Sequence, residues 1–174
     1  TDIFRPATHE KAPAIVAWSP YGKNNPMDFI AKPVTPLSGL QKFEATDPGY
    51  WVEKGYAIIN PDIRGVGQSQ GDLPQWGTQD GRDGYDMVEW LAQQEWCSGK
   101  IGFAGNSYLS ISQWFIGAER PPHLAALAPW EGALDVYRHS IAPGGIPTTE
   151  FNEMSFIVFS GIGSSEDLPA MIRK

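Results

Sequence analysis

The residues most suited to covalent chemistry lie in Lys100-Ile-Gly-Phe-Ala-Gly-Asn-Ser-Tyr-Leu-Ser110. A short apolar strand, Ile101 to Ala104, runs into the tight turn Gly105-Asn106-Ser107, and a helix-patterned segment follows from Tyr108 to Glu119. A serine at the apex of a strand–turn–helix unit is the setting of a nucleophile elbow. The turn strains the serine backbone and lifts its hydroxyl clear of the sheet. The following helix aims its first amides at the place where an oxyanion would form. Gly105 is expected because a side chain there would strike neighbouring backbone. The plain G-x-S-x-G pattern is half met, since Leu109 replaces the second glycine. A βα turn whose serine merely caps the helix fits the same residues.

An elbow needs a sheet to carry it. Ala14–Trp18, Tyr56–Asn60 and Leu124–Ala128 are further apolar runs of strand length, and runs apolar throughout suit strands buried on both faces. Between them lie a short helix from Asp47-Pro48 to Lys54-Gly55 and an amphipathic one from Asp80 to Gln94. In the second, Asp80 and Asp83 favour the N-terminus, and Tyr85, Val88 and Leu91 share a face. In the elbow helix Ile111, Phe115 and Ala118 form the expected buried stripe, and Pro121-Pro122 ends it. Alternating strands and helices predict an α/β fold with a mostly parallel sheet flanked by helices. Residues 24–49, rich in Pro, Asn and Gly, read as a long excursion. Beyond Gly132 the strand signal stops, and helical stretches such as Glu150–Phe159 and Glu166–Ile172 follow.

Composition narrows the function classes. With 174 residues, 41% of them hydrophobic and 19% charged, the chain is globular rather than disordered. A net charge of −7 without any Lys/Arg cluster argues against nucleic acid and anionic membranes. The lone Cys97 excludes a disulfide framework, and His9, His123 and His139 show no metal-ligand spacing. No metal or other cofactor is expected, and no apolar run reaches the length of a membrane span. The turn Asp62-Ile-Arg64-Gly65-Val-Gly67-Gln-Ser69 is not a dinucleotide loop, because Gln70 stands where the third glycine belongs.

Pro20-Tyr21-Gly22-Lys23, Asp62-x-Arg64-Gly65-x-Gly67-x-Ser69 and Gly105-Asn-Ser107-Tyr108-Leu109, in this order, resemble the X-Pro dipeptidyl-peptidase/cocaine esterase family. Ala128-Pro129-Trp130 and Asp135-Val-Tyr137-Arg138 resemble that family's junction between core and helical cap. The resemblance implies a partial α/β-hydrolase fold, with residues 1–132 as the first part of the core and 133–174 as the start of the cap. It implies a serine hydrolase acting on small ester or amide substrates through an acyl-enzyme. Ser107 is the implied nucleophile, with the Tyr21 hydroxyl and the Tyr108 amide as oxyanion donors. Trp130 is expected to wall the substrate pocket, and Asp62 and Arg64 to tie their turn together. Where the family often has glycine three residues after the serine, this chain has Ser110, so close helix–sheet packing should survive.

The mechanism also needs a histidine base and an orienting aspartate, in the chain order Ser, Asp, His. His123 precedes a strand at the wrong end of the sheet, and His139 shares a helical face with Asp135 at the start of the cap. In the family both residues come well downstream. The expectation is therefore that the chain begins and stops inside a larger protein, whose remaining segment supplies Asp and His. Ester hydrolysis and X-Pro dipeptide release remain open, because the carboxylates that would hold a peptide amino terminus are not singled out among Glu131, Glu150 and Glu153. A non-catalytic scaffold that keeps the elbow as architecture is the reading from another class.

Overall fold

The computed structural model describes residues 1–8, 10–25, 37–150 and 153. His9, residues 26–36 of the long excursion and most of the two late helical stretches lie outside the described residues. The chain divides into two compact units, Thr1–Gly132 and Ala133–Lys174.

The first unit is a five-stranded sheet with helices. In chain order its elements are β1 (Asp2–Phe4), β2 (Ala12–Val16), α1 (Pro48–Glu53), β3 (Ala57–Asn60), α2 (Thr78–Ala92), β4 (Cys97–Gly105), α3 (Tyr108–Ala118) and β5 (Leu124–Pro129). Across the sheet the order is β1-β3-β2-β4-β5. The pairs β2–β3, β2–β4 and β4–β5 are parallel, and only β1 runs antiparallel, against β3. Thr1–Pro6 thus holds a strand of its own, on one sheet edge, and β5 forms the other edge among the described strands. β2 is central, and its Pro13 falls where the register with β4 shifts, the position at which a central strand tolerates the missing donor.

The helices are placed differently from their sequence pattern in two respects. α2 buries Asp80, Gly81, Gly84, Val88 and Leu91, so Tyr85 turns partly outward. α3 buries Ile111 and Ile116, whereas Phe115 is half-buried and Ala118 exposed. Close approach of the helices causes both shifts. A Cβ on Gly81 would lie 2.7 Å from the Phe115 carbonyl oxygen, and one on Gly84 would collide with Ile116. Glycines on α2 let α3 settle against its backbone, and the contact face of each helix rotates accordingly.

In the second unit, a five-residue π-helical turn, Tyr137–Ile141, leads into a single 3₁₀ turn, Pro143–Gly145. Thr148 folds back on the π-helical turn, its amide donating to the Ile141 carbonyl at 2.9 Å and its hydroxyl to the Ser140 carbonyl at 2.6 Å.

Candidate active site

Ser107 sits where β4 ends and α3 begins, with φ 53° and ψ −114°. A β-carbon makes that left-handed backbone costly, on the order of 1–3 kcal/mol. Neighbours on both sides hold it there. The Ser107 amide donates to the Glu131 carbonyl at 2.6 Å, the Asn106 amide to the Glu44 carbonyl at 3.1 Å, and the Trp130 amide to the Gly105 carbonyl at 3.2 Å. The Ser107 side chain makes no capping bond to α3. Helix capping therefore does not account for this serine.

Gly105 is required for a reason other than the expected backbone clash. Its φ is 150°, and an added Cβ would lie 2.6 Å from the Leu109 Cβ. Leu109, the departure from the two-glycine pattern, fills the space beside the first glycine. Ser110 is buried, and a side chain at Gly132 would collide with it. A small residue at position 110 thus keeps the turn after β5 tight against α3.

Tyr21 follows the end of β2 on the same rim and is buried. Its hydroxyl interacts with both the Ser107 hydroxyl and the Glu44 carboxyl. Burial, reinforced by the Glu44 charge, pushes its pKa far above the usual tyrosine value, so it stays a proton donor throughout the working pH range. Its ring packs edge-on against Phe43 and Tyr108, at centroid distances of 5.2 and 6.3 Å. The turn itself is pinned from two directions. Asp62 Oδ1 accepts the Lys23 amide at 2.8 Å, and Lys42 Nζ donates to the carbonyls of Ser19 and Pro61 at 3.3 and 2.9 Å. Gly67 is required beside Asp62, because a Cβ there would lie 2.6 Å from Oδ2. Arg64 forms a two-pronged ion pair with Asp83, at 2.6 and 2.7 Å. Asp62 and Arg64 thus tie the turn down, as their motif implies.

Tyr108, the first residue of α3, presents its amide at the helix N-terminus, and its own side chain is anchored. Its hydroxyl donates to Asp80 Oδ2 at 3.4 Å, and Trp18 Nε1 donates to Asp80 Oδ1 at 2.6 Å. Trp76 stacks on its ring at 4.9 Å. Asp80, in the first turn of α2 as its charge leads one to expect, is buried. Burial raises its pKa to about 6 against the pull of its two donors. Trp130 lies on the same rim through its backbone bond to Gly105, with its side chain exposed.

Sequence reasoning missed three ionisable groups withdrawn from water: Asp80 and Lys42, which are buried, and Glu44, which is half-buried. Lys42 is wholly buried, and burial lowers its pKa to about 7 against the attraction of Asp62. Glu44 has a left-handed backbone, φ 59°, and its carboxyl lies beside Tyr21 and Asn106. Burial raises its pKa to about 7, with the Glu131 charge adding to the rise and bonds from Asn106 and Tyr21 opposing it. Both lie in the Pro/Gly-rich excursion, where no periodicity marks a buried side. Asp80 was legible, standing four residues before Gly84 and eight before Val88 on one helical face.

No histidine in the first unit's described residues reaches Ser107. His123 lies at the opposite end of β5, roughly 17 Å away along the strand, and its ring pairs with Glu89 at 2.7 Å. In the second unit His139 Nδ1 accepts the Asp135 amide at 3.5 Å, while the Asp135 carboxylate is taken by Arg138 at 2.6 Å. That pair lacks the carboxylate–imidazole contact a triad uses. Among the described residues no His/Cys/Asp/Glu cluster has the makings of a metal site, and no helix is long and apolar enough to cross a membrane.

Residues 1–169 match the model of the X-Pro dipeptidyl-peptidase (S15) family. The chain belongs to that family. It is 30% identical over 150 residues, 86% of this chain and 24% of the relative, to the cocaine esterase of Rhodococcus sp. (strain MB1 Bresler). The crystal structure of a CocE/NonD family hydrolase from Staphylococcus aureus superposes with a TM-score of 0.81 at 36% identity, covering 99% of this chain and 32% of that one. An α-amino acid ester hydrolase shares the fold, with a TM-score of 0.62 at 24% identity over 80% of this chain and 24% of that one. The mostly parallel sheet with its flanking helices is the α/β-hydrolase fold. The chain spans about a quarter to a third of the length of these relatives.

Proposed function

We propose that the protein is a serine hydrolase that cleaves small ester or amide substrates through an acyl-enzyme on Ser107. The observation that carries this reading is the left-handed Ser107, free of any capping role, with the Tyr21 hydroxyl beside it. Attack of the Ser107 oxygen on the carbonyl carbon generates an oxyanion, which the Tyr21 hydroxyl and the Tyr108 amide stabilise. Preorganised donors of this kind are effective because they need no rearrangement as charge develops. Collapse of the tetrahedral species expels the alcohol or amine, and water then releases the acyl group. Trp130 serves as a wall of the substrate pocket.

The base and its orienting aspartate come, in this reading, from the remaining segment of the same protein. Support lies in the greater length of the relatives and in the placement of His123 and His139. β5, an edge strand with Ala125, Ala126 and Ala128 exposed, offers the place for further core strands. In this reading residues 1–132 are the first part of the core and residues 133–174 the start of a helical cap.

Ester cleavage is the first reading of specificity, following the cocaine esterase likeness. X-Pro dipeptide release is the second, supported by the family match and by Glu131, a carboxylate near enough for its charge to be felt at Glu44. The test is fluorophosphonate labelling of the complete protein, with the modified residue mapped by mass spectrometry. Rapid labelling at Ser107, lost in Ser107→Ala, is the expected result. Absence of labelling sinks the hydrolase reading in favour of a scaffold. Turnover of p-nitrophenyl esters against Xaa-Pro-p-nitroanilides separates the two specificities.

A further inference from the structure

Glu44 is the group at this rim that the mechanism above leaves unused. Its loop is docked onto the elbow by two bonds from one residue. The Asn106 amide donates to the Glu44 carbonyl at 3.1 Å, and Asn106 Nδ2 donates to Oε1 at 3.3 Å. The other carboxyl oxygen, Oε2, is buried without a hydrogen-bond partner among the described residues. The Tyr21 hydroxyl interacts with this same carboxyl and with Ser107. One phenolic proton thus has two claimants, a carboxylate and an oxyanion.

We propose that Glu44 is a positioning residue for the oxyanion hole, and that its Oε2 must carry a proton for the Tyr21 hydroxyl to serve the oxyanion. The inference rests on the reading of Tyr21 as an oxyanion donor. With Oε1 already accepting from Asn106, Oε2 is the oxygen left to hold a proton. A neutral carboxyl is a weak acceptor and leaves the Tyr21 hydroxyl to donate to the oxyanion. An ionised carboxyl instead accepts the Tyr21 hydroxyl and sets a second negative charge beside the developing one.

The surroundings bring the neutral and ionised forms close to balance near neutral pH. The groups facing Glu44 are Tyr21 from the turn after β2, Asn106 from the elbow and Glu131 from the turn after β5. Burial and the like charge of Glu131 together place its titration at about 7.

The experiment is the pH profile of acylation by a p-nitrophenyl ester, measured in single turnover on the complete protein. Wild type should lose activity on the alkaline side with a midpoint near 7. Glu44→Gln, which cannot ionise, should lack that limb and exceed wild type roughly tenfold at high pH, a fraction of what one whole oxyanion donor commands. Glu131→Gln removes the like charge without touching Glu44, and should move the limb to lower pH. Tyr21→Phe should be slow at every pH and show no limb from Glu44. If Tyr21→Phe costs less than about tenfold, the oxyanion assignment itself fails. If Tyr21→Phe is slow but Glu44→Gln keeps the wild-type alkaline limb, only the role of Glu44 is overturned. Should Glu44→Gln not fold, an unmoved limb in Glu131→Gln overturns it equally.

Discussion

The two ends of the same parallel strands are built in different ways. At the N-terminal ends, near His123, the charged groups sit on the surface. His123 pairs with Glu89, with side chains 47% and 22% exposed, and Arg5 lies 5.4 Å over the Trp96 ring. At the C-terminal ends, Lys42 and Asp80 are buried and Glu44 is half-buried, and all three are shifted toward their neutral forms. Ser107 and Glu44 there hold left-handed backbones. The first end follows the ordinary rule that ions stay wet. The second breaks it repeatedly within one small region, and strain with perturbed titration in one place marks a site whose geometry is held for chemistry. Fold alone would not distinguish the ends, since both serve the same strands.

The contrast is sharpest at the proposed nucleophile. Ser107→Ala in the complete protein should lower turnover on the order of a million-fold, measured against a p-nitrophenyl ester, with the fold intact by circular dichroism. A smaller loss would mean that the chemistry lies elsewhere. Tyr21→Phe comes next, with an expected loss of about 10²–10³ in kcat, or roughly 2.7–4 kcal/mol. A fall below about tenfold would reduce Tyr21 to packing.

Asp80 tests the supporting layer. Asp80→Ala strips the acceptor from Trp18 Nε1 and the Tyr108 hydroxyl, and should cost about 1–3 kcal/mol of stability by urea unfolding. Asp80→Asn should cost less, because it keeps one acceptor oxygen. The same carboxyl sets a pH dependence. The folded protein binds the Asp80 proton more tightly than the unfolded chain does, with a pKa of about 6 against 3.8. Its contribution to stability is complete below about pH 4, declines as pH rises to about 6, and is flat above. Asp80→Asn should lose that slope, and an unchanged slope would assign it to another group.

The opposite rim supplies the smallest effect. Glu89→Gln removes the partner of His123 and should change stability by less than about 1 kcal/mol, the usual worth of an exposed pair. It should leave esterase turnover unaltered. A large loss there would erase the difference between the two ends.

What the sequence made legible follows from local rules. The elbow, the Tyr21 turn and the alternation of strands and helices each depend on residues within a few positions of one another. The antiparallel β1 was not legible, because three residues carry too little pattern to fix a direction. The buried stripes of α2 and α3 were misplaced, since Gly81 and Gly84 decide the contact face by absence of a side chain. Lys42 and Glu44 were hidden for a deeper reason. A charged residue in an aperiodic loop reads as solvated unless its tertiary partners are known, and Ser19, Pro61, Tyr21 and Asn106 are all distant in sequence.

The two bonds between Asn106 and Glu44 bear on when the site comes into being. They join positions 62 residues apart, and closing so long a loop costs entropy that local contacts cannot return. The strain at Ser107 is sustained only after that closure, because an isolated strand–turn–helix segment would relax out of it. A growing or partly unfolded chain therefore carries Ser107 as an ordinary serine, and its reactive setting arrives late in assembly. Hydrogen exchange at the Asn106 amide, held by the Glu44 carbonyl, reports on that step directly.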